Sequence, residues 1–521
     1  MKRLKANILL LGLAALAAAC GSPVREGRGY VGTVRVEAAD TEEEVIRKAA
    51  SLVPTRRQLD AMENGFIGFL HFGPNTFTGR EWGTGFEDTA VFDLKELHTD
   101  EWCREMKAAG MKMVILTVKH HDGFCLWQTR YTTHGIMSTG YKDGKGDILR
   151  ELSESCREYG LKLGIYLSPA DLYQIESPDG LYGNLSAKTP RTIPRPVEGR
   201  PFANKTTFTF TVDDYNEYYL NQLFELLTEY GPISEVWLDG AHPKRKGGQT
   251  YDYTAWREVI RTLAPDAAVF GREDIRWCGN EAGDTREAEF NVVTFDEDPA
   301  VMTSFEDMLG ELGTREVYLS HDRPFYLHYL PSETDTSIRD GWFFRNDDEQ
   351  RVRTADEVFN IYERAAGGNS ILLLNVPPNR DGRFSDRDKE TLRGVGRLIE
   401  ATYGEGKDLL AGAKGPAHVL DGDMATWAKA DGLTVRTRKP VTVNRIVLRE
   451  PVGAIGERIE SLYVDAKVDG QWKEIVTGTN VGFRRILRFS DVTTDAIRIR
   501  ITSSRDKAVL SIVEAYHCEM P

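Results

Sequence analysis

The feature that most limits how this 521-residue chain can fold is an alternation of apolar runs with helical segments. The apolar runs are residues 65–73, 111–118, 161–167, 233–238 and 369–379. The helical segments 99–109, 147–159 and 214–230 each stop at a glycine, which takes the left-handed turn after a helix at little cost. Buried strands joined through helices indicate a parallel sheet, because each helix returns the chain to start the next strand in the same direction.

Polar residues at the ends of these runs favour a closed barrel over an open, doubly wound sheet. The runs end in His-Phe-Gly-Pro-Asn, Lys-His-His-Asp, Ser-Pro-Ala-Asp and Asp-Gly. A barrel gathers functional groups from several strand ends at one mouth, whereas an open sheet uses mostly its switch point. No Gly-x-Gly-x-x-Gly follows the first run, so a dinucleotide site has no support. We predict an α/β fold, a (β/α)8-like TIM barrel over residues 46–404.

After Gly404 the pattern changes to short alternating segments separated by Gly, Asp and Pro. These segments are residues 434–438, 445–449, 461–468, 485–489 and 496–501. Such spacing is typical of antiparallel strands, so residues 405–521 are predicted to form an all-β sandwich.

The first twenty residues have the pattern of a secretion signal. Lys2, Arg3 and Lys5 form a basic start, and the apolar stretch 8–19 is too short to cross a bilayer. The following Ala-Ala-Ala-Cys20-Gly resembles a bacterial lipobox, whose cysteine is lipidated and becomes the mature N-terminus. An ordinary signal cleaved just before Cys20 is the alternative.

The chain is therefore expected to leave the cytoplasm and stay attached to a membrane. Residues 1–20 are the predicted lipoprotein signal, and residues 21–45, without apolar period, are the predicted surface tether. The lipid would anchor the protein in the periplasm or at the outer membrane of a Gram-negative bacterium. The formal net charge of −14 argues against a nucleic-acid partner, whose phosphates would be repelled.

The remaining cysteines predict buried free thiols rather than a disulfide framework or a metal site. They are Cys103, Cys125, Cys156, Cys278 and Cys518. Their number is odd, no Cys-x-x-Cys occurs, and the first four lie in apolar barrel segments.

Asp239 is the first candidate for chemistry, because it ends an otherwise apolar strand and is followed by Gly240. Retaining cleavage of a glycoside needs two carboxyl groups about 5–5.5 Å apart, one a nucleophile and one an acid/base. A structural alternative is that Asp239 caps the next helix. The sequence Gly-Ala-His-Pro after it does not resemble a helix start, which favours the chemical role.

Glu281 is the best acid/base candidate. Its neighbours Trp277 and Cys278 could desolvate the carboxyl group and raise its pKa, as a general acid requires. The acidic residues that compete for this role are Glu273, Glu287 and Glu289.

The pair His120 and His121 admits two interpretations. With His71 and Asp122 it could form a metal centre, but adjacent strand residues point to opposite faces and no His-x-His spacing is present. Two imidazoles that hydrogen-bond sugar hydroxyls explain the pair better. Three tryptophans near strand ends would be core residues by default but could also stack on a sugar ring; they are Trp82, Trp237 and Trp342.

Several of these motifs together resemble the α-L-fucosidases of glycoside hydrolase family 29. The matching segments are residues 68–83, 115–127, 235–241, 275–281 and 372–382. They include Glu235-Val-Trp-Leu-Asp-Gly-Ala241 and Ile275-Arg-Trp-Cys-Gly-Asn-Glu281, and they follow one another in order between about residues 55 and 385.

The resemblance implies retaining hydrolysis of a fucosylated oligosaccharide or glycoconjugate in a barrel, with no cofactor required. It implies that Asp239 is the nucleophile and supports Glu281 as acid/base. The residues it implies for holding fucose are His71, Glu81, Trp82, His120, His121, Tyr166 and Trp237, with Arg276 and Trp342 as further candidates.

The sequence of residues 75–83 is similar to that of the family's subgroup that prefers α-1,3/1,4-linked fucose. Two departures from the family pattern affect the leaving-group side: Ala170 replaces a usual tryptophan, and a long insertion spans residues 176–211. The C-terminal domain resembles discoidin-like galactose-binding modules, whose segment corresponding to residues 420–427 often holds a structural calcium. Without a clear aromatic platform, a bracing role is favoured slightly over carbohydrate binding.

Three rival functions remain open on the sequence. One is a metal-dependent barrel hydrolase, and another is an inactive fucose-binding protein of a cell surface. The third is a hydrolase of a related sugar, such as 2-O-methyl-fucose, galactose or xylose.

Overall fold

A near-closed barrel of eight parallel strands forms the larger part of the molecule. The structure, a computed structural model, describes residues 31–176, 180–181, 186–240, 249–302 and 308–519. In order around the barrel the strands are Ala268–Phe270, Ile233–Trp237, Lys162–Leu167, Met113–Lys119, Phe66–Leu70, Ser370–Asn375, Ser332–Ser337 and Arg276–Trp277. A parallel bridge between Phe270 and Ile275 brings the first of these strands to the segment that enters the last. The predicted TIM-like barrel is confirmed.

Helices surround the barrel. The longer ones are Glu42–Ser51, Arg56–Asn64, Thr99–Ala108, Ile148–Tyr159, Asp214–Glu229, Tyr253–Leu263, Ala355–Ala365 and Asp386–Tyr403. Short helices are Pro74–Thr78, Leu172–Glu176, Arg315–Ser320 and Val452–Ile455, and 3-10 turns are Thr89–Val91, Ile136–Ser138, Tyr141–Gly144 and Ala417–Val419. In the helix Ile148–Tyr159, Asp147 caps the start and Gly160 ends it in the left-handed conformation. Leu149 and Leu152 face the barrel core, so capping and burial together explain its length.

The strand Ser332–Ser337 was not predicted, because every one of its side chains is polar. All six residues are buried between its neighbours Ser370–Asn375 and Arg276–Trp277. Alternate side chains of a strand point to opposite faces, so Glu333 and Asp335 share one face. A hydropathy pattern cannot identify such a strand, since its burial depends on the barrel that surrounds it.

The N-terminal part of the described chain differs from the predicted tether. Thr33–Val36 is a strand that pairs antiparallel with Phe325–Tyr329, which in turn pairs with Val292–Phe295. The helix Glu42–Ser51 then begins at Thr41, which forms a capping box with Glu44. Pairing with a distant strand supplies the order that the local composition does not indicate. The predicted signal, Cys20 and residues 21–30 lie outside the described residues.

The predicted insertion contains a β-hairpin. Thr189–Ile193 pairs antiparallel with Phe208–Val212 just before the helix Asp214–Glu229. Arg191 anchors it by ion pairs with Asp214 and Glu217 of that helix. The insertion is therefore partly built onto the barrel wall.

The C-terminal domain is an antiparallel sheet. In spatial order its strands are Gln471–Gly478, Ile459–Val468, Arg485–Ser504, Thr434–Arg449 and Ile512–Tyr516. A two-stranded sheet, Ala428–Lys429 with Val509–Leu510, shares its apolar core. Two pairs of short predicted segments merge into single long strands that carry bulges, because a bulge interrupts the alternation without ending the strand.

The five predicted free thiols are confirmed among the described residues: each cysteine there is buried and unpaired. Within the same part of the chain, we find no helix with the length and apolar character that crossing a membrane requires.

Candidate active site

A cavity of about 750 Å³ opens where the barrel strands end. All the predicted site residues line it: His71, Glu81, Trp82, His120, His121, Tyr166, Trp237, Asp239, Arg276, Glu281 and Trp342. They come from distant parts of the chain and meet because parallel strands deliver their carboxyl ends to one mouth.

Asp239 lies at the base of this mouth, two residues beyond the strand Ile233–Trp237. The hydroxyl of Tyr166 donates a hydrogen bond of 2.8 Å to its Oδ2, and Nε2 of His121 lies 3.7 Å from the same oxygen. The capping alternative does not hold for the helix Tyr253–Leu263, whose cap is Asp252. The carboxylate of Asp239 is thus held by side chains at the cavity and remains about a quarter exposed.

Glu281 enters the same cavity from the segment after the strand Arg276–Trp277. The indole N–H of Trp342 donates to its Oε2 at 3.3 Å. Burial raises the pKa of Glu281, and the negative charges of Asp239 and Glu81 raise it further, against the smaller opposing effect of the Trp342 hydrogen bond. These surroundings favour a protonated carboxyl group, the form that donates a proton.

The three competing glutamates lie outside the cavity lining. Glu289 is fully buried, and although burial raises its pKa, Arg276 and Arg286 lower it by more, so it stays ionised. Glu273 is likewise held by arginine ion pairs that outweigh its burial and lower its pKa. Glu287 is exposed, and its carbonyl accepts a hydrogen bond from the C-terminal domain.

The three histidines form a connected group on one side of the cavity. The ring centroids of His71 and His120 are 5.5 Å apart, and those of His120 and His121 are 4.1 Å apart. The strand Met113–Lys119 ends just before the pair, so the expected alternation of faces does not apply and both rings reach the cavity. In the described ranges, no three His, Cys, Asp or Glu side chains are arranged so that they could hold a metal ion together.

Burial keeps these rings neutral. It lowers the pKa of His71 to about 3, despite the hydrogen bond between Nδ1 and Oδ1 of Asn375 at 2.9 Å. The pKa of His120 is well below its usual value through burial and through His121, and burial lowers the pKa of His121 against the opposing charge of Asp239. Nδ1 of His120 is buried without a partner in the described part of the protein, so a ligand hydroxyl could pair with it.

Aromatic rings also line the cavity, two of them against the histidines. Trp237 stacks on Phe270 at 3.9 Å between centroids, with only 7° between the ring planes. Trp342 lies 5.0 Å from His71, and Trp82, 44% exposed, covers His121 at 4.1 Å. Trp237 is buried and also lines the cavity, so it is both a core residue and part of the site.

Residues 71–405 match the family model described as alpha-L-fucosidase. Alpha-L-fucosidase 1 of Arabidopsis thaliana is 31% identical over 488 residues, which cover 89% of this chain and 87% of that protein. The chain belongs to the α-L-fucosidase family.

Solved structures agree with this membership. A Bacteroides ovatus protein classed with the α-L-fucosidases is 35% identical, with a TM-score of 0.80 and with 94% of this chain and 78% of that chain covered. A Ruminococcus gnavus family 29 fucosidase in complex with fucose is 26% identical, with a TM-score of 0.74 and with 94% and 98% covered. The protein is therefore a glycoside hydrolase of family 29 with α-L-fucosidase activity.

The sequence did not indicate that this fucosidase carries three more acidic side chains beside its site. Trp277 donates from Nε1 to Asp335 at 2.8 Å, and Trp237 donates to Glu333 at 2.8 Å. Asp335 lines the cavity, whereas Glu333 lies behind Trp237 and next to Glu235. The signal for Glu333 and Asp335 was the acidic alternation in a strand that hydropathy failed to detect, whereas Glu235 lies within the predicted strand Ile233–Trp237.

Glu235 and Glu333 form a buried carboxyl pair. Burial raises the pKa of Glu333 to about 7, and burial together with the neighbouring Glu333 raises the pKa of Glu235 well above its usual value. Each leaves one buried oxygen without a donor among the described residues, Oε1 of Glu235 and Oε2 of Glu333. A proton held between these carboxyl groups accounts for both.

Arg276 lines the fucosidase cavity, but its guanidinium is directed to the loop behind the wall. It donates to the carbonyl oxygens of Leu330 at 3.2 Å and Phe290 at 3.0 Å, and it forms an ion pair with Glu289. These contacts hold the loop, while Nη1 of Arg276 is buried without a partner among the described residues.

Further residues, outside the predicted set, also line the cavity. They are Gln249, Thr250, Tyr251, Tyr253, Arg272 and Met308. The guanidinium of Arg272 stacks on Tyr253 at 3.8 Å. Ala170, which the sequence placed on the leaving-group side, is fully buried and does not line the cavity.

In the segment 420–427 of the C-terminal domain, the acidic side chains bond within their own turn. Asp421 accepts from the backbone of Asp423 at 3.0 Å and from the hydroxyl of Thr426 at 2.8 Å. Asp423 accepts from the backbone of Ala425 at 2.8 Å. These bonds already satisfy the turn, so the geometry adds no support for calcium.

Proposed function

We propose that this fucosidase works by retaining double displacement, with Asp239 as nucleophile and Glu281 as acid/base. The observation that carries the proposal is that two carboxyl groups with different surroundings, those of Asp239 and Glu281, line one cavity. Asp239 accepts a hydrogen bond from Tyr166 and remains about a quarter exposed, whereas burial raises the pKa of Glu281.

In the first step an Asp239 oxygen attacks C1 of fucose while Glu281 gives its proton to the departing glycosidic oxygen. The C1–O bond breaks, the aglycone leaves, and a fucosyl ester of Asp239 remains. In the second step Glu281 takes a proton from water, whose oxygen attacks C1 and releases Asp239. The two inversions leave fucose with its original configuration.

The remaining residues would bind the sugar. The three neutral histidine rings can offer ring nitrogens to hydroxyl groups. Nδ1 of His71 is bonded to Asn375 and Nδ1 of His121 to Ser168, so these two rings would use Nε2. Trp237 and Trp342 provide apolar faces for the C–H groups and the 6-methyl group of fucose. The cavity thus offers the sugar both hydrogen-bonding groups and apolar faces.

The nucleophile is tested by Asp239→Ala. We expect turnover of p-nitrophenyl α-L-fucoside to fall about 10⁴-fold or more, because the covalent route is lost. Azide should restore part of the rate and give the β-fucosyl azide, since it enters the space of the removed carboxylate. Rescue with the α-azide, or a retained rate without azide, would contradict the assignment.

The acid/base is tested by Glu281→Ala on a series of aryl α-L-fucosides that differ only in leaving-group acidity. On activated fucosides kcat/KM should change little, and on unactivated ones it should fall about 10²–10⁴-fold, because kcat/KM reports the first step, in which only a poor leaving group needs the proton. Glu287→Ala is the matched control and should leave the series unchanged. Equal losses of kcat/KM across the series would move the role to another acid that lines the cavity, Asp335 or Glu81.

We further propose cleavage of terminal α-1,3/1,4-linked fucose from branched glycans, on the resemblance of residues 75–83 to that subgroup. The cavity extends to Tyr251, Arg272 and Met308, and a branched aglycone would lie beside these residues. Product analysis on a mixture of α-1,2, α-1,3, α-1,4 and α-1,6 fucosylated glycans tests this. Release confined to α-1,2 or α-1,6 substrates would contradict it.

We also propose that the enzyme is an exported lipoprotein, anchored through Cys20 in the periplasm or at the outer membrane of a Gram-negative bacterium. The signal pattern of residues 1–20 supports this. Cys20→Ala should move fucosidase activity from the detergent-extracted membrane fraction to the soluble fraction. Equal membrane association of both forms would exclude the lipid anchor.

A further inference from the structure

The loop that carries Glu281 has little support of its own. Residues 278–291 contain no helix or strand, and Glu281 itself is only partly buried and still reaches solvent. Among the described residues, its side chain has one hydrogen bond, from Trp342 at 3.3 Å. Asn280 accepts from the backbone of Ala282 at 3.0 Å, and Ala282 forms an isolated antiparallel bridge with Thr336 of the barrel, so the first part of the loop is held there. The position of the acid/base therefore depends on what holds the backbone of this loop.

Glu289 holds the loop from inside the barrel domain. It is fully buried and pairs with Arg276, just before the loop, and with Arg286 within it at 3.2 Å. Arg286 also donates to the carbonyl oxygen of Cys278 at 3.0 Å. The two ends of the loop are thus joined through one buried carboxylate.

The C-terminal domain holds the same loop from the other side. Asn480 donates from Nδ2 to the carbonyl oxygen of Glu289 at 2.6 Å, and the Thr479 hydroxyl donates to that of Glu287 at 2.6 Å. Oε2 of Glu457 accepts from the backbone N–H of Asn291 at 3.0 Å. These three side chains of one domain bind three backbone groups of the loop in the other.

The Asn480 amide is itself oriented. It is fully buried, and Arg485 donates to its side-chain oxygen and, from Nε, to its backbone carbonyl at 2.7 Å. Because the amide oxygen receives a cation, the NH₂ group is directed to Glu289. A buried and oriented donor can fix a loop more strongly than a solvated contact.

We propose that Asn480, with Thr479 and Glu457, positions the acid/base of the barrel, so that the C-terminal domain takes part in setting the protonation of the leaving group. The inference rests on the proposed role of Glu281. Asn480 is a positioning residue, since it acts through the loop and does not line the cavity.

The test compares Asn480→Ala and the milder Thr479→Val in the full-length enzyme, using the same aryl α-L-fucoside series. A displaced acid/base should lower kcat/KM on unactivated fucosides about tenfold more than on activated ones for Asn480→Ala, and by a smaller selective factor for Thr479→Val. The basic limb of the pH profile should move as well, because the surroundings of Glu281 change. Loss of stability alone would lower the rates on all leaving groups together.

The matched control is Asn444→Ala, which removes an equally oriented buried amide of the same domain. Asn444 donates to Asp491 and to the carbonyl oxygen of Cys518 at 2.8 Å each, away from the loop. It should destabilise the domain and leave the leaving-group dependence unchanged. A uniform loss in both Asn480→Ala and Thr479→Val, matching Asn444→Ala, would overturn the proposal.

A double substitution separates this inference from the proposed mechanism. In a Glu281→Ala background, Asn480→Ala should add no selective loss, because there is no acid/base left to displace. If Glu281→Ala itself shows no dependence on the leaving group, the proposed mechanism fails. If Glu281→Ala shows it and Asn480→Ala does not, only the positioning role fails.

Discussion

At the scale of single residues, the two cavity carboxyl groups differ because of their immediate neighbours. Tyr166 gives Asp239 a hydrogen-bond donor, whereas Glu281 receives burial and two nearby negative charges. The two carboxyl groups thus have different surroundings, built by contacts from separate strand ends and loops. The sequence was enough to select Asp239 and Glu281 as candidates. It did not indicate which side chains would donate hydrogen bonds to them.

Two substitutions next to Glu281 should move the basic limb of the pH profile of kcat/KM in opposite directions. Trp342→Phe removes a hydrogen bond that lowers the pKa of Glu281, so activity should persist to higher pH. Glu81→Gln removes a negative charge that raises this pKa, so activity should be lost at lower pH. A full pH profile of kcat/KM with an unactivated fucoside measures both, because this substrate needs the proton of Glu281, and shifts of the same sign would contradict this account.

At the scale of elements, the polar strand Ser332–Ser337 supports aromatic rings of the cavity. Glu333 receives the indole N–H of Trp237, and Asp335 receives that of Trp277. The strand was missed because the interior of a barrel can bury acids that share protons or accept indole N–H groups. Its neighbour Ser370–Asn375 was predicted, because a run of apolar residues indicates a buried strand whatever elements pack around it.

The buried pair of Glu333 and Glu235 should make stability fall as pH rises. In the folded state Glu333 has a pKa of about 7, above the value of about 4.3 expected for an unfolded chain. The folded protein therefore binds more protons between these values, so its unfolding free energy decreases with rising pH there. Glu333→Gln keeps an acceptor for Trp237 and should reduce the loss between pH 5 and 8, measured by denaturant unfolding. An unchanged slope would exclude the pair as its source.

Two helices around the barrel pack so closely that one position has to be glycine. A Cβ atom at Gly396 of the helix Asp386–Tyr403 would clash with the carbonyl oxygen of Ala108, at the end of the helix Thr99–Ala108. Gly396→Ala should lower the unfolding free energy by about 1–3 kcal/mol, because backbone must move. Gly140→Ala is the matched control, since nothing lies within 4 Å of its Cβ position and its φ is negative. Equal stability of the two variants would contradict the packing.

At the scale of the whole molecule, the barrel and the C-terminal domain share buried polar contacts. Glu457 is fully buried and accepts from Asn291, from Asn369 at 2.8 Å and from Tyr329 at 3.3 Å. Glu363 of the barrel pairs with Arg445 of the sheet domain and accepts from Tyr403 at 2.6 Å. Such contacts are costly to separate, so the two domains are expected to unfold together.

Glu363→Ala tests this coupling. It leaves the Arg445 guanidinium buried without its carboxylate partner, which costs about 3–5 kcal/mol. Calorimetry should show one transition for the natural chain, and a lower Tm or a separate early transition of the sheet domain for the variant. A Tm unchanged from that of the natural chain would show that the interface contributes little.

The sequence by itself determined the barrel, the change to an antiparallel domain after Gly404, and the set of cavity residues. These depend on local signals: apolar runs, glycine stops, and polar residues placed directly after strands. The family motifs added an expected role to each residue, and all of the predicted residues reached one cavity.

Only the tertiary structure decided the rest. It ordered residues 33–51 by pairing with a distant strand, placed Ala170 outside the cavity, and directed Arg276 to Glu289. It also set the protonation of the acids and joined the Glu281 loop to the C-terminal domain. The physical reason is that burial, charge and hydrogen-bond partners come from residues far apart in the chain, and no local pattern records them.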